Sequence, residues 1–365
     1  QADNWTHSPR CGSATNSFGV SRTCDPTIVH LDYDLDWAVY FNEHSGPDSQ
    51  VTPEETPMEA ALLALLDGAD SSIDVALYGL NRVSVLDALI AAHDRGVTVR
   101  VVGDDEAALG AYSAGYQALT DAGVPVMTDA GSAIQHNKFF VIDGEVVWTG
   151  STNLTDTGFR MNANNSIVIT DTNLANVYTS EFQEMWDGDF HGDKADNTAH
   201  AFNYAGTYVE SWFSPTDLVA FEVWEELANA DESVHFGMFF WTDAMLSDRL
   251  IERMEDGVAV YGVWDHLGAA NAWSVDEALV DAGAQIRIED WPGKCHHKFA
   301  VIDVDGDDPT VILGSYNWTA SGAYDNDENT LIIHDPDLAR AYYAEWLRMW
   351  DELGTEVYLP MVTRQ

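Results

Sequence analysis

Two histidines, two lysines and two asparagines recur in this 365-residue chain in the same order and at matching spacing. His136-x-Lys138-x4-Asp143 opens the phrase HNKFFVID and is followed by Gly150-Ser151-Thr152-Asn153. His296-x-Lys298-x4-Asp303 opens HHKFAVID and is followed by Gly314-Ser315-Tyr316-Asn317. An imidazole can attack phosphorus or carry a proton near neutral pH. Ammonium and carboxamide groups can hold the charged oxygens of a phosphate. Taken as a pair, the two sets suit phosphodiester cleavage. One histidine would be nucleophile, the other acid, with cations and amides as the clamp. A single copy of such a motif is a weak signal; two copies, each with Gly-Ser-x-Asn behind it, are a specific one.

The elements around the motifs repeat as well. SSIDVALYGL, SVLDALIAAHDRG and VTVRVVGD precede the first motif; ESVHFGMFFW, MLSDRLIERMEDG and VAVYGVWD precede the second. Ile73 pairs with Val234 and Gly96 with Gly257, near the 160-residue offset of His136 and His296. That period is too long for a solenoid and marks a duplicated domain. Ile73 to Leu80 reads as a buried strand, Val85 to His93 as a helix closed by Arg95-Gly96, and Val97 to Val102 as a second buried strand. Alternating strands and helices place the chain in the α/β class. Lys138 to Ile142 reads as a strand, with His136 and Lys138 on one face. Asp143 ends it, and Gly144 turns the chain back to Val146-Val147-Trp148. The second hairpin is longer, ten residues from Asp303 to Gly314 against six from Asp143 to Gly150, and the extra length falls in VDGDDPT.

On these residues the chain resembles the phospholipase D superfamily. The resemblance implies two tandem phospholipase D-like α/β/α sandwich domains related by a pseudo-two-fold, with the active site at their interface. The boundaries expected are an N-terminal extension at 1–30, a first domain at 31–190, a linker at 191–205 and a second domain at 206–365. A polar stretch from Trp186 to Thr198 marks the crossing. The resemblance further implies a phosphohistidine intermediate and no metal or other cofactor. Lys138, Lys298, Asn153 and Asn317 would form the clamp, supported by Ser151 and Ser315. Asp143 and Asp303 would brace their own strand-turns. Counting from Gly150 and Gly314 aligns Asn164 with Glu328 and Asn165 with Asn329. By resemblance the first of each pair reaches the histidine of the other half, Glu328 to His136 and Asn164 to His296. A carboxylate raises imidazole basicity more than an amide does. The asymmetry therefore assigns His136 as nucleophile and His296 as general acid/base.

Composition bears on the substrate. The formal net charge is −45, with lysine only at 138, 194, 294 and 298, so half of the lysines are motif lysines. A saline habitat and an acidic extracellular setting both account for the charge. Such a surface repels polyanions at low salt. A secreted phospholipase D, acting on phospholipid at a membrane or micelle surface and able to transphosphatidylate, is the leading reading. The 13 tryptophans could serve a lipid rim or the core. The alternative is a metal-independent nuclease acting on DNA or RNA, since GSYNWT resembles the short bacterial nucleases of the superfamily. A binding module without activity conflicts with two intact motifs. A monomer is expected.

Cys11 and Cys24, in a segment with little core of its own, are expected to form a disulfide, which implies export. No signal peptide is read, so the chain is taken as a mature form. Sequons at Asn153, Asn164 and Asn317 would place glycans on the site, which points to a bacterial source. No run of 18 apolar residues occurs, so no membrane-spanning helix is expected. His297 should face away from the site and pack, and Cys295 has no role in this chemistry. His44, His235, His266 and His334 are expected to be structural or exposed. The 303–308 loop lacks the spacing of a calcium hand and reads as an acidic turn.

Overall fold

The computed structural model describes residues 28–42 and 55–354. Cys11, Cys24 and His44 lie outside the described residues. The first half supplies strands β1 (Ile28–Leu31), β2 (Asp36–Asn42), β3 (Ser72–Leu77), β4 (Thr98–Gly103), β5 (Val126–Thr128), β6 (Lys138–Ile142), β7 (Val146–Gly150) and β8 (Asn164–Thr170). The second supplies β9 (Ala201–Tyr204), β10 (Thr207–Ser214), β11 (Ser233–Met238), β12 (Ala259–Trp264), β13 (Gln285–Ile288), β14 (Lys298–Ile302), β15 (Thr310–Gly314) and β16 (Glu328–His334).

The strand order repeats. One sheet runs β2-β8-β7-β6-β3-β4-β5, and the other contains β10-β16-β15-β14-β11-β12-β13. In each, the motif strand lies at the centre, β6 antiparallel to β3 and β14 antiparallel to β11. Both motif strands are buried on both faces, as a central strand of an α/β sheet must be. Phe139 and Val141, with Phe299 and Val301, point into one apolar core shared by the two halves. Phe140 and Ile142 point into the outer core of the first half, and Ala300 and Ile302 into that of the second. Helices Thr172–Asp187 and Pro336–Glu352 send Tyr178, Phe182, Tyr342 and Trp346 into the shared core. Burying each large side chain there is worth about 1.5–3 kcal/mol. The two sheets are thus held face to face across these helices. That is the expected pair of α/β/α sandwiches.

The helix read over Val85–His93 runs from Val83 to Asp94, and Gly96 follows it at φ 95°, the left-handed position where a glycine carries no Cβ penalty. Two boundaries differ from the sequence reading. Ile28–Leu31, at the edge of the expected N-terminal extension, pairs in parallel with β9 and so joins the second sheet. Four residues carry too little periodicity to show such a crossing. The 191–205 segment is not a bare tether either. Trp186 and Asp187 complete the preceding helix, Lys194 is buried, and β9 lies at 201–204.

Asp143 and Asp303 sit at φ 53° and 49°, each closing its motif strand. Asp143 accepts from the backbone N–H groups of Asp70, Ser71 and Ser72 at 2.7–3.0 Å. Asp303 accepts from those of Asp231, Glu232 and Ser233 at 2.7–2.8 Å. Each therefore clamps its hairpin to the start of the neighbouring strand, the bracing role expected of it. Both Asp303 oxygens are taken by these N–H groups, and Asp308 pairs with His334 at 3.0 Å. Burial opposes ionisation of Asp143, but the N–H donors outweigh it and hold the carboxyl down to about 2. A carboxyl depressed in the folded state stabilises above its unfolded pKa, and that contribution fades as pH falls through the folded value. Asp143→Asn keeps a residue tolerant of positive φ, so its effect reports the lost charge. We expect it to lower stability by about 1–2 kcal/mol at pH 7. The gap from wild type should narrow as pH drops from about 4 towards 2. Denaturant melts across pH test this; a gap independent of pH would contradict it.

Candidate active site

Glycine opens the second part of each motif for a steric reason. Gly150 and Gly314 adopt φ 148° and 146°, and a Cβ would stand 2.3 Å from the Asn165 carbonyl oxygen and 2.2 Å from that of Asn329. This close approach lets the Ser151 and Ser315 amides bond those carbonyls at 2.9 and 3.0 Å. The Ser151 hydroxyl then donates to Asn164 Oδ1 at 2.9 Å, and the Asn329 amide donates to Ser315 Oγ at 3.0 Å. The serines thus fix the start of β8 and β16, where the residues that support the histidines sit.

Those supports cross between the halves. Both oxygens of Glu328 lie 2.8 Å from His136 Nδ1. Asn164 Oδ1 lies 2.9 Å from His296 Nδ1, with the Ser151 carbonyl at 3.1 Å. The backbone crosses too. The His136 amide donates to the Asp327 carbonyl, and the His296 amide to the Ala163 carbonyl, both at 2.9 Å. A hydrogen bond at Nδ1 leaves Nε2 as the reactive nitrogen of each ring.

The site is crowded with buried basic side chains. His136, His296, Lys138 and Lys298 are all at most 6 % exposed. Each lysine donates to the carbonyl of the histidine two residues before it. Tyr78 lies edge-on to His136 at 5.4 Å, and Phe239 is tilted on His296 at 4.8 Å. Burial, then the charges of the two motif lysines, push both imidazoles well below their ordinary range, so they are neutral with no anion present. Burial lowers Lys138 to about 7 and holds Lys298 well below the usual lysine range, the latter also repelled by Lys138. Burial pushes the Glu328 carboxyl up to about 8, with Lys138 opposing. Its two oxygens equidistant from one Nδ1–H suit the ionised form. We take the carboxylate, faced by two lysines, as the form that orients His136. Asn153 and Asn317 are half-buried, and their side-chain oxygens have no hydrogen-bond partner among the described residues. The arrangement gathers two imidazoles and two lysines, all buried, around a single buried carboxylate, Glu328.

His136, His296, Lys138, Lys298, Glu328 and Asn164 are brought together, with Ser151 and Ser315 behind them, while Asp143 and Asp303 stand at the far ends of the motif strands. His297 faces away, as expected, but it is polar packing. Its Nδ1 meets Asn165 Nδ2 at 2.9 Å, and its ring lies against Phe299. The matching contact in the other half is Asn329 to Asn137 at 2.8 Å. His235 is buried against Tyr261 and Trp346, His334 pairs with Thr310, and His266 is exposed but bonded to Glu289. Cys295 is buried.

Sequence reading missed a charge cluster behind His136. Asp327 lies 2.9 Å from His191 and 2.8 Å from Lys194, both from the segment between the halves. Lys194 also contacts Glu181, and His191 lies 3.1 Å from Asp129. Burial opposes protonation of His191, but Asp129 and Asp327 outweigh it and raise the imidazole to about 9. Asp327 is the residue whose carbonyl holds the His136 amide. The scarcity of lysine was the one signal that pointed to Lys194.

A profile described as "Cardiolipin synthase, PLD-like domain" matches residues 62–186 and 223–350, more than half of the chain. The chain is 36 % identical over 126 residues to a protein of Xenopus laevis named mitochondrial cardiolipin hydrolase, a stretch covering 34 % of this chain and 60 % of that one. It is 30 % identical over 139 residues to a phospholipase D of Rickettsia conorii, covering 38 % of this chain and 68 % of that one. The chain thus spans about 60 % of the length of the Xenopus relative. In fold it matches phosphatidylserine synthase of Haemophilus influenzae, with TM-score 0.63 at 14 % identity over 88 % of this chain and 87 % of that one. With two copies of the domain, two complete motifs and the strand order repeated around them, the chain belongs to the phospholipase D-like family.

Proposed function

We propose that the protein is a phospholipase D-type phosphodiesterase that cleaves phospholipid head groups through a phosphohistidine on His136. The observation that carries this reading is the pair of crossed supports, Glu328 on His136 and Asn164 on His296. His136 Nε2 attacks phosphorus, and the bond to the leaving oxygen breaks as His296 delivers its proton to that oxygen. His296 then takes a proton from water, the resulting nucleophile attacks phosphorus, and His136 leaves. Lys138, Lys298, Asn153 and Asn317 hold the non-bridging oxygens in both steps. The carboxylate behind His136 steadies the positive charge that ring gains on attack, which an amide does less well. A lipid rather than a polynucleotide fits the net charge of −45, because a nucleic acid needs a basic track along its backbone. Two of the similar proteins carry names for lipid hydrolysis, which points the same way.

The test of this reading offers phosphatidylcholine and supercoiled plasmid side by side, across salt, with ethanol present. A covalent phosphoenzyme is open to any small alcohol, so phosphatidylethanol should form beside phosphatidic acid. Plasmid degraded rapidly at low salt with phosphatidylcholine untouched would replace the lipid with a nucleic acid.

The supports make unequal contributions. Glu328→Gln should lower kcat by roughly 10²-fold or more, and Asn164→Ala by roughly tenfold. Equal small losses would contradict the crossed-support mechanism. The crowded basic side chains give a further expectation. A bound anion favours the charged lysines and so raises their pKa values. Inorganic phosphate or tungstate binding near pH 7.5 should therefore take up protons, Lys138 first, since it lies near 7 without the anion. Calorimetry in buffers of different ionisation enthalpy measures this; binding without uptake, or with proton release, would contradict it.

A further inference from the structure

A second cluster of ligand-type side chains stands beside the second motif and takes no part in the chemistry above. Asp265 caps the helix His266–Ala269 after β12, and Glu289 follows β13. Asp265, His266 and Glu289 each bring one ligand atom within 4.8 Å of the others. Asp265 and Glu289 are 0 % and 1 % exposed, while His266 opens the cluster to solvent. One Asp265 oxygen accepts from the Leu267 and Gly268 amides; the other, Oδ2, is buried and meets no N–H or hydroxyl donor among the described residues, and burial beside the Glu289 carboxyl raises Asp265 to about 7. A buried carboxylate oxygen without a donor is costly unless a cation or proton meets it.

The first half shows what such a place requires. Asp104 and Asp129 occupy the equivalent positions after β4 and β5, and Asp129 and Glu289 each precede their motif histidine by seven residues. There the imidazole of His191 stands between Asp129 and Asp327 as a built-in cation. In the second half the position of Asp327 is taken by Ala163, and the parallel bridges Gln135–Asp327 and Ala163–Cys295 mark the two as counterparts. In the second half His266 meets Glu289 at 2.8 Å, but no salt bridge reaches Asp265 among the described residues.

We propose that Asp265, His266 and Glu289 bind a divalent transition metal of the Zn2+ or Mn2+ class. Two carboxylates with an imidazole select such an ion over Ca2+ or Mg2+, which prefer all-oxygen shells. The ion ties the ends of β12 and β13 together. It also fixes the loop from Glu289 to Lys294, whose last carbonyl accepts the Ala163 amide at 2.8 Å just before His296. Its role is structural, and the phosphoryl chemistry stays with the histidines and lysines.

The test uses the full chain, stripped with chelator and titrated with Zn2+ and with Mn2+ in high KCl, which screens diffuse attraction to the acidic surface. Calorimetry and elemental analysis should give about one ion per chain, undisplaced by equal Ca2+. Asp265→Asn preserves the helix cap, and His266→Gln alters an exposed side chain. Each should weaken Zn2+ by more than the roughly tenfold to hundredfold typical of outer-shell changes, while Asp104→Asn leaves binding intact. No binding to folded wild type would mean that the two carboxyls share a proton, and would overturn the proposal. So would equal binding by wild type and Asp265→Asn, or a site that survives His266→Gln.

Discussion

Neither half of this protein holds its own histidine. His136 is fixed at its amide by Asp327 and at Nδ1 by Glu328, both 2.8–2.9 Å away and both from the second half. His296 is fixed in the same two ways by Ala163 and Asn164 of the first. Everything else serves this exchange. The motif strands run through the middle of their sheets, so their ends are positioned by packing on both faces. The shared core of Phe139, Phe299, Tyr178 and Tyr342 sets the two sheets at the separation the crossed bonds need. Gly150 and Gly314 let the following strands approach closely enough to present Asn164 and Glu328.

The same architecture resolves an electrostatic problem. Four basic side chains are buried together in a chain of net charge −45. Burial lowers all four, and repulsion by the motif lysines adds to it for both histidines and Lys298. On the proposed mechanism binding and activation are coupled: an anion held by the lysines also makes protonation of His296 easier, which the leaving group requires. The acidic surface has a separate consequence, since it discourages extended polyanions without weakening the local pocket.

Duplication is what made the site legible in the sequence. Residues that occur twice, such as the histidines, lysines, serines and asparagines, were found by comparing the halves; alignment paired Asn164 with Glu328, and the family resemblance implied that each crosses to the other half's histidine. The motif strands were legible because Lys138–Ile142 is apolar beyond its first residue and ends in Asp143-Gly144. Features that occur once escaped. His191 and Lys194 come from the joining segment, which has no partner copy, and the short β1 gives no sign of crossing to the second sheet. The asparagine contacts of Asn137 and His297 escaped for another reason, although His297 was read as facing away and packing. They differ in type though they do the same work, each meeting an asparagine of the opposite half.

The central claim is that the crossed support by a carboxylate, rather than an amide, selects the attacking ring. The most direct measurement is rapid quenching during turnover of a substrate with an activated leaving group, followed by mass-spectrometric mapping of the phosphohistidine. The account requires the phosphate on His136, its formation retained in His296→Asn and abolished in His136→Asn. Phosphate found on His296 would contradict it.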